Sequence, residues 1–157
     1  MFGKLNAEEI EQLIEKQLIG RIGCHADNLT YVVPVSYAYD GTYVYGYTYE
    51  GKKIDMMRTN PNVCFEVDDT RNLSNWQSVI AWGIFEELTN KKEREKALIK
   101  LQERVLPVVN SETMHISPLW PFSIDNMEEL QGIVYRILLT EKTGRFEKSS
   151  DHFFYAT

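Results

Sequence analysis

Residues 31–49, YVVPVSYAYDGTYVYGYTY, decide the fold. Two alternating runs, residues 31–39 and 42–49, flank Asp40-Gly41. Alternation with a period of two marks a half-buried strand, and an Asp-Gly pair between two such runs signals a hairpin. Tyr31, Val33, Val35, Tyr37 and Tyr39 then share one face, while Tyr43, Tyr45, Tyr47 and Tyr49 share a face of the partner strand. Such tyrosine stripes are most often packed faces, with aromatic cross-strand pairs contributing about 0.2–1 kcal/mol each. Tyr31 and Tyr43 are assigned to packing; Tyr47 stays open between packing and ligand contact.

Upstream of the hairpin, Asn6 and Glu9 have the spacing of a capping box. Ile10, Leu13, Ile14 and Leu18 make an apolar helical face, and Gly20 suits the C-terminal stop. A strand over residues 21–25 and a turn at Ala26-Asp27-Asn28 follow. Downstream, residues 51–58 read as a short helix ended before Asn60-Pro61, because a residue preceding proline avoids the helical region. Further strands are expected at residues 62–68, 76–88 and 133–140, with a polar loop over 69–75. A helix over residues 91–106 carries Leu98, Leu101 and Val105 as its apolar stripe. Residues 107–125 read as a surface excursion. The sum is a single domain over residues 1–157, mainly β with peripheral α. Its hairpin-linked order predicts a six-stranded antiparallel barrel, not a parallel sheet.

Composition narrows the function. With 43% hydrophobic and 25% charged residues the chain reads as a globular protein. A net charge of −6 argues against a nucleic-acid partner, whose phosphates need clustered Lys and Arg. No apolar run approaches membrane-spanning length, and MFGKLNAEEIEQL lacks the apolar core of a signal peptide. Cys24 and Cys64, with no Cys-x-x-Cys pair, read as reduced thiols of a cytoplasmic protein. His25, His115 and His152 are scattered, so no metal site is expected. Ser36 lies outside any Gly-x-Ser-x-Gly elbow.

An acidic chain can still hold an anion locally. In YTYEGKKID (residues 47–55) Thr48, Gly51, Lys52 and Lys53 stand at the mouth of the expected helix. A helix start offers unpaired N–H groups and partial positive charge, so lysines there oppose the dipole unless an anion sits among them. A phosphate monoester of roughly −1.5 to −2 charge suits such a site. The alternative is a hairpin end with two solvated lysines.

The run VPVSYAYDGTYVYGYTYEGKKIDMMRTNPNVCFEVDD, with WQSVIAWGIFEEL after it, resembles the pyridoxamine 5′-phosphate oxidase-like flavoproteins, and more closely their nitroimidazole-resistance-type branch. A weaker echo lies in VYRILLTEKTGRFE. The resemblance implies a split β-barrel homodimer with FMN at the subunit interface. It implies that Tyr47, Thr48, Lys52 and Lys53 hold the flavin phosphate, and that Pro34, Val35, Ser36 and Tyr37 line the ring, mainly through backbone groups. Gln77 and Ser78 match further cofactor contacts, and no catalytic side chain is implied. Trp76 and Trp82 could border the flavin or belong to the core and interface; with Tyr45 they are the expected dimer contributors. The tail TGRFEKSSDHFFYAT lacks the Arg- and His-bearing motif of the oxidases, and Gly46-Tyr47 replaces the histidine that some nitroimidazole-resistance relatives carry. Neither of those two activities carries over. The expected function is an FMN-dependent oxidoreductase acting on a small molecule; the alternative is a non-enzymatic flavin- or haem-binding module for storage, sensing or regulation.

Overall fold

A computed structural model describes residues 1–104 and 131–149. The first helix, α1 (Ala7–Lys16), begins with the expected capping box: Asn6 Oδ1 accepts from the Glu9 N–H at 2.9 Å, and Glu9 Oε2 accepts from the Asn6 N–H at 2.7 Å. Ile10, Leu13 and Ile14 are buried beneath it. Gly20 is not its stop. The chain leaves α1 through an extended Gln17 straight into a strand, so no left-handed residue is needed, and Gly20 sits inside that strand against the Phe65 ring.

That strand, β2 (Ile19–Ala26), follows a short β1 (Phe2–Lys4) that carried no sequence signal. Asp27 and Asn28, both at positive φ, turn β2 into β3 (Leu29–Ser36) along its whole length. Two consecutive left-handed residues are what a two-residue hairpin demands. The expected pairing of residues 31–39 with 42–49 is therefore only partly present. The run breaks at Tyr37, and only the two-residue β4 (Ala38–Tyr39) pairs with β5 (Tyr43–Thr48). Asp40 makes the turn, its Oδ1 accepting from the Thr42 and Tyr43 N–H groups. Alternation reports which face a residue takes, not which strand it pairs with.

After α2 (Lys52–Thr59), β6 (Asn62–Asn72) and β7 (Asn75–Glu87) form a long hairpin. Most of the expected polar loop at 69–75 is strand, because Asp69, Thr70 and Asn72 pair with Gln77, Trp76 and Asn75 across the β6–β7 hairpin. α3 (Lys91–Gln102) is capped by Asn90 and buries Ala97, Leu98 and Leu101; Val105 and residues 107–125 lie outside the described residues. β8 (Ile133–Glu147) is much longer than expected and pairs with β7, β5 and β1.

The antiparallel sheet has the order β3-β2-β6-β7-β8-β5-β4, with β1 on β8. Its six longer strands are the six read from the sequence; β1 and β4 bring the described total to eight. β3 and β4, at opposite ends of that order, are joined through Tyr37, so the sheet wraps without closing. Inside lie Ile22, Val44, Phe65, Val67, Val79 and Ile137, with Ile14 of α1 packed on them. A second cluster, Tyr45, Leu88, Leu98, Leu101 and Val134, packs β5 and β8 against α3. Tyr45, 2% exposed in that cluster, is unavailable to a partner chain.

Candidate functional site

β5 ends at Thr48, opposite Ile133, and the chain runs through Tyr49 and Glu50 into Gly51, the N-cap of α2. Gly51 is extended and offers no side chain to the first-turn N–H groups. The helix is anchored by Ile54 and Met57, both fully buried, and by Asn60, whose Nδ2 donates to the His25 carbonyl at 2.8 Å. Lys52 is exposed, its Nζ 5.4 Å from the centroid of the Tyr31 ring. Lys53 is half-buried beside Cys24; burial pulls its pKa down, with the Cys24 thiol acting in the opposite direction. Among the described residues neither lysine forms an ion pair, and the Thr48 hydroxyl makes no hydrogen bond. A half-buried ammonium without a carboxylate, beside an uncapped helix start, fits an anion and has no use for a structural ion pair.

The acidic residues nearby point elsewhere. Arg58, in the last turn of α2, donates from Nη1 and Nη2 to Glu50 at 2.7 and 2.9 Å, and from Nε and Nη2 to Glu87 at 2.9 Å each. Its guanidinium holds both carboxyls below their usual range. Nothing in the sequence pattern reveals this clamp, because Glu50 precedes the helix and Glu87 closes a distant strand.

Among the described residues β3 has a partner strand on one side only, which is where an internal proline can stand. Pro34 is exposed, Val35 is buried and Ser36 is half-buried with its Oγ accepting from Arg104. Tyr37 is committed to packing. Its ring stands edge-on to Phe65 at 4.9 Å, its hydroxyl donates to the Ile14 carbonyl, and its own carbonyl accepts from Arg104 at 2.7 Å. Burial raises the Tyr37 pKa and lowers that of Arg104 to about 10. Arg104 was missed by sequence reasoning, since an arginine at a helix end ordinarily reads as solvated.

Tyr47 leans on the α3 cluster and donates to the Gln131 carbonyl at 3.2 Å. Gln77 and Ser78 are not brought to the head of α2 within one chain. Gln77 pairs with Phe146 and Thr48 with Ile133, at opposite ends of β8, on the order of 40 Å apart along the strand. Gln77 instead lines a cavity of about 270 Å³ with Leu13, Lys16, Asp69 and Phe146, and the Ser78 hydroxyl faces Glu66 at 3.4 Å. Trp76 stands at that same end, its Nε1 donating to Glu147. Among the described residues no group of three His, Cys, Asp or Glu could hold a metal ion, and no helix is long and apolar enough to cross a membrane.

Comparison with known proteins adds a lineage to this geometry. A FAD-binding protein from Mesorhizobium loti is 27% identical, with 95% of this chain and 98% of that one covered at a TM-score of 0.70. A Bacteroides thetaiotaomicron protein assigned to 5-nitroimidazole antibiotic resistance shares the fold at 19% identity and a TM-score of 0.70, covering 93% of this chain and 87% of its own. An uncharacterised protein of Rhizobium meliloti is 32% identical over 84 residues, 54% of this chain; the match spans about half of that relative, 56% of its length. The family model for pyridoxamine 5′-phosphate oxidase matches residues 6–146, from the cap of α1 to the penultimate residue of β8. The chain belongs to the pyridoxamine 5′-phosphate oxidase family.

Proposed function

We propose that the chain binds FMN, with the phosphate at the head of α2 and the ring along β3, and works as a flavin-dependent oxidoreductase on a small molecule. The observation that carries the reading is Lys53, a half-buried cation with no carboxylate partner among the described residues, beside an uncapped helix start. The M. loti relative's FAD supports a flavin; the preference for FMN rests on the charge a terminal phosphate brings to two lysines and a helix dipole. Thr48, Lys52 and Lys53 hold the phosphate, and Pro34, Val35 and Ser36 offer the ring the end strand of the described sheet. The flavin supplies the hydride chemistry, while the chain binds, orients and shields it.

A second copy of the chain belongs to this proposal. The cross-strand row Val32, Gly23, Cys64, Trp82 crosses four strands from β3 to β7. On β7, Ile80, Trp82 and Ile84 are 40%, 42% and 45% exposed, an apolar stripe that a partner sheet can cover. In a C2 dimer the partner's copy of the distant Gln77–Ser78 end can supply what one chain does not bring to α2.

The test compares ligands. Charge-assisted hydrogen bonds contribute roughly 1.5–3 kcal/mol each, so Lys53→Ala is expected to weaken FMN binding by about ten- to a hundred-fold. Riboflavin, which has the same ring without the phosphate, should bind with nearly unchanged affinity. Equal losses for both ligands would mean a damaged ring pocket, and no loss for either returns the lysines to solvent. NADH or NADPH consumption by the FMN-loaded protein with candidate acceptors separates the oxidoreductase from a flavin carrier or sensor.

A further inference from the structure

We infer that Arg58 keeps the anion site open by holding the Glu50 carboxylate away from it, an inference that rests on the phosphate reading of that site. Glu50 stands one residue before the N-cap of α2. A carboxylate there is the natural intramolecular occupant of a helix start, and two lysines follow it within three residues. It takes neither partner. Both Glu50 oxygens are engaged by the Arg58 fork at 2.7 and 2.9 Å. The same guanidinium is fixed to the end of β7 by two further hydrogen bonds to Glu87, and Asp55, the acid in the first turn, lies 3.9 Å from its Nη1. One cation from the last turn of α2 thus gathers three carboxylates, one from just before the helix, one from its first turn and one from the end of β7.

The consequence is electrostatic. Among the described residues neither lysine has a carboxylate partner, and the acidic residue closest to them on the N-terminal side, Glu50, is held by Arg58. Arg58 is a positioning residue: it touches no ligand atom and acts through Glu50. If Arg58 is neutralised, Glu50 is freed to cap α2 and pair with Lys52 or Lys53, and it then competes with a phosphate for the same charges.

A clamp that merely stiffens the loop behaves differently, and a second-site change tells the two apart. FMN and riboflavin affinities are measured by flavin fluorescence for the wild type, Arg58→Gln, Glu50→Gln and the double variant, each checked for fold by circular dichroism. Arg58→Gln is expected to weaken FMN binding by about five- to tenfold, the combined scale of one exposed ion pair and one helix-end charge, and to leave riboflavin unmoved. Adding Glu50→Gln should return FMN affinity to within about twofold of wild type, since no carboxylate remains to compete. Glu50→Gln alone should bind FMN at least as tightly as wild type. An Arg58→Gln loss that Glu50→Gln does not repair, a loss shared by riboflavin, or a weakened Glu50→Gln single variant overturns the inference. A wild type that binds FMN no better than riboflavin overturns the phosphate reading beneath it, a result distinct from the other three.

Discussion

Lys53 is where the physical chemistry of single residues is most exposed to test. Burial lowers its pKa from the ordinary 10.5, so between its folded pKa and 10.5 the unfolded chain holds a proton that the folded chain has lost. In that window the unliganded protein gains stability from Lys53 as pH rises; below it both states are protonated and the group contributes no slope. Ligand binding runs the other way. A bound phosphate favours the charged ammonium, so FMN binding should be tightest below the folded pKa and weaken as pH climbs through it. Flavin phosphate is already fully ionised above about pH 7 and adds no slope there. FMN titrations from about pH 7 to about pH 10 should show this alkaline weakening, and Lys53→Arg, charged throughout, should flatten it. An identical slope in both proteins would place the titration elsewhere. The residue identities at the head of α2 were legible in the sequence; the burial of Lys53 and the recruitment of Glu50 by Arg58 were not, because both depend on β2 and β7 arriving alongside.

At the scale of elements, the long β7–β8 ladder is tightly constrained where its register shifts. The shift falls between Trp82 and Gly83, and a Cβ at Gly83 would meet the Leu138 carbonyl oxygen at 2.4 Å. That neighbour is backbone held in a paired strand and cannot swing aside. Gly83→Ala is therefore expected to destabilise the protein by roughly 1–3 kcal/mol in a urea unfolding titration; a change below about 0.5 kcal/mol would mean the bulge relaxes freely. Element existence was well marked by alternation, capping and turn residues. Element partnership was not. Residues 31–39 read as one strand, yet the chain changes partner at Tyr37, where the ring enters the core against Phe65 and Arg104 secures the carbonyl. The polar stretch after Asp68 read as loop because it lacks apolar alternation, yet it is paired across the hairpin with β7.

The whole molecule adds the apolar stripe on β7. Outward residues of a sheet that stay this apolar are a liability for a lone chain. Light scattering or analytical ultracentrifugation is expected to give the mass of two chains, and Trp82→Arg, at the centre of the stripe, to give one. On the proposed dimer, in which the partner's Gln77–Ser78 end completes the phosphate site, the monomeric variant should also lose FMN affinity while keeping its circular dichroism. A monomeric wild type at high micromolar concentration, or a monomeric variant with full affinity, would contradict the shared site. Trp82 was singled out from the sequence for either flavin or interface; its exposure on the outer face of β7 favours the interface. Trp76, hydrogen-bonded to Glu147 beside Phe2, belongs to the far end of the sheet.

By itself the sequence determined the local physics: the period-two runs, the Asn6 cap, the Asp40-Gly41 turn, and a glycine and two lysines at a helix start in an acidic chain. These are short-range signals, carried by neighbours in the chain. Tertiary structure alone decided the rest. It chose β2 over β5 as the partner of β3, carried Gln77 and Ser78 to the far end of β8, and turned Tyr37 inward. It also brought Arg58, Glu50 and Glu87 into one cluster. Each of these depends on contacts between residues far apart in sequence, set by sheet order and strand length, for which a single chain of letters holds no local mark.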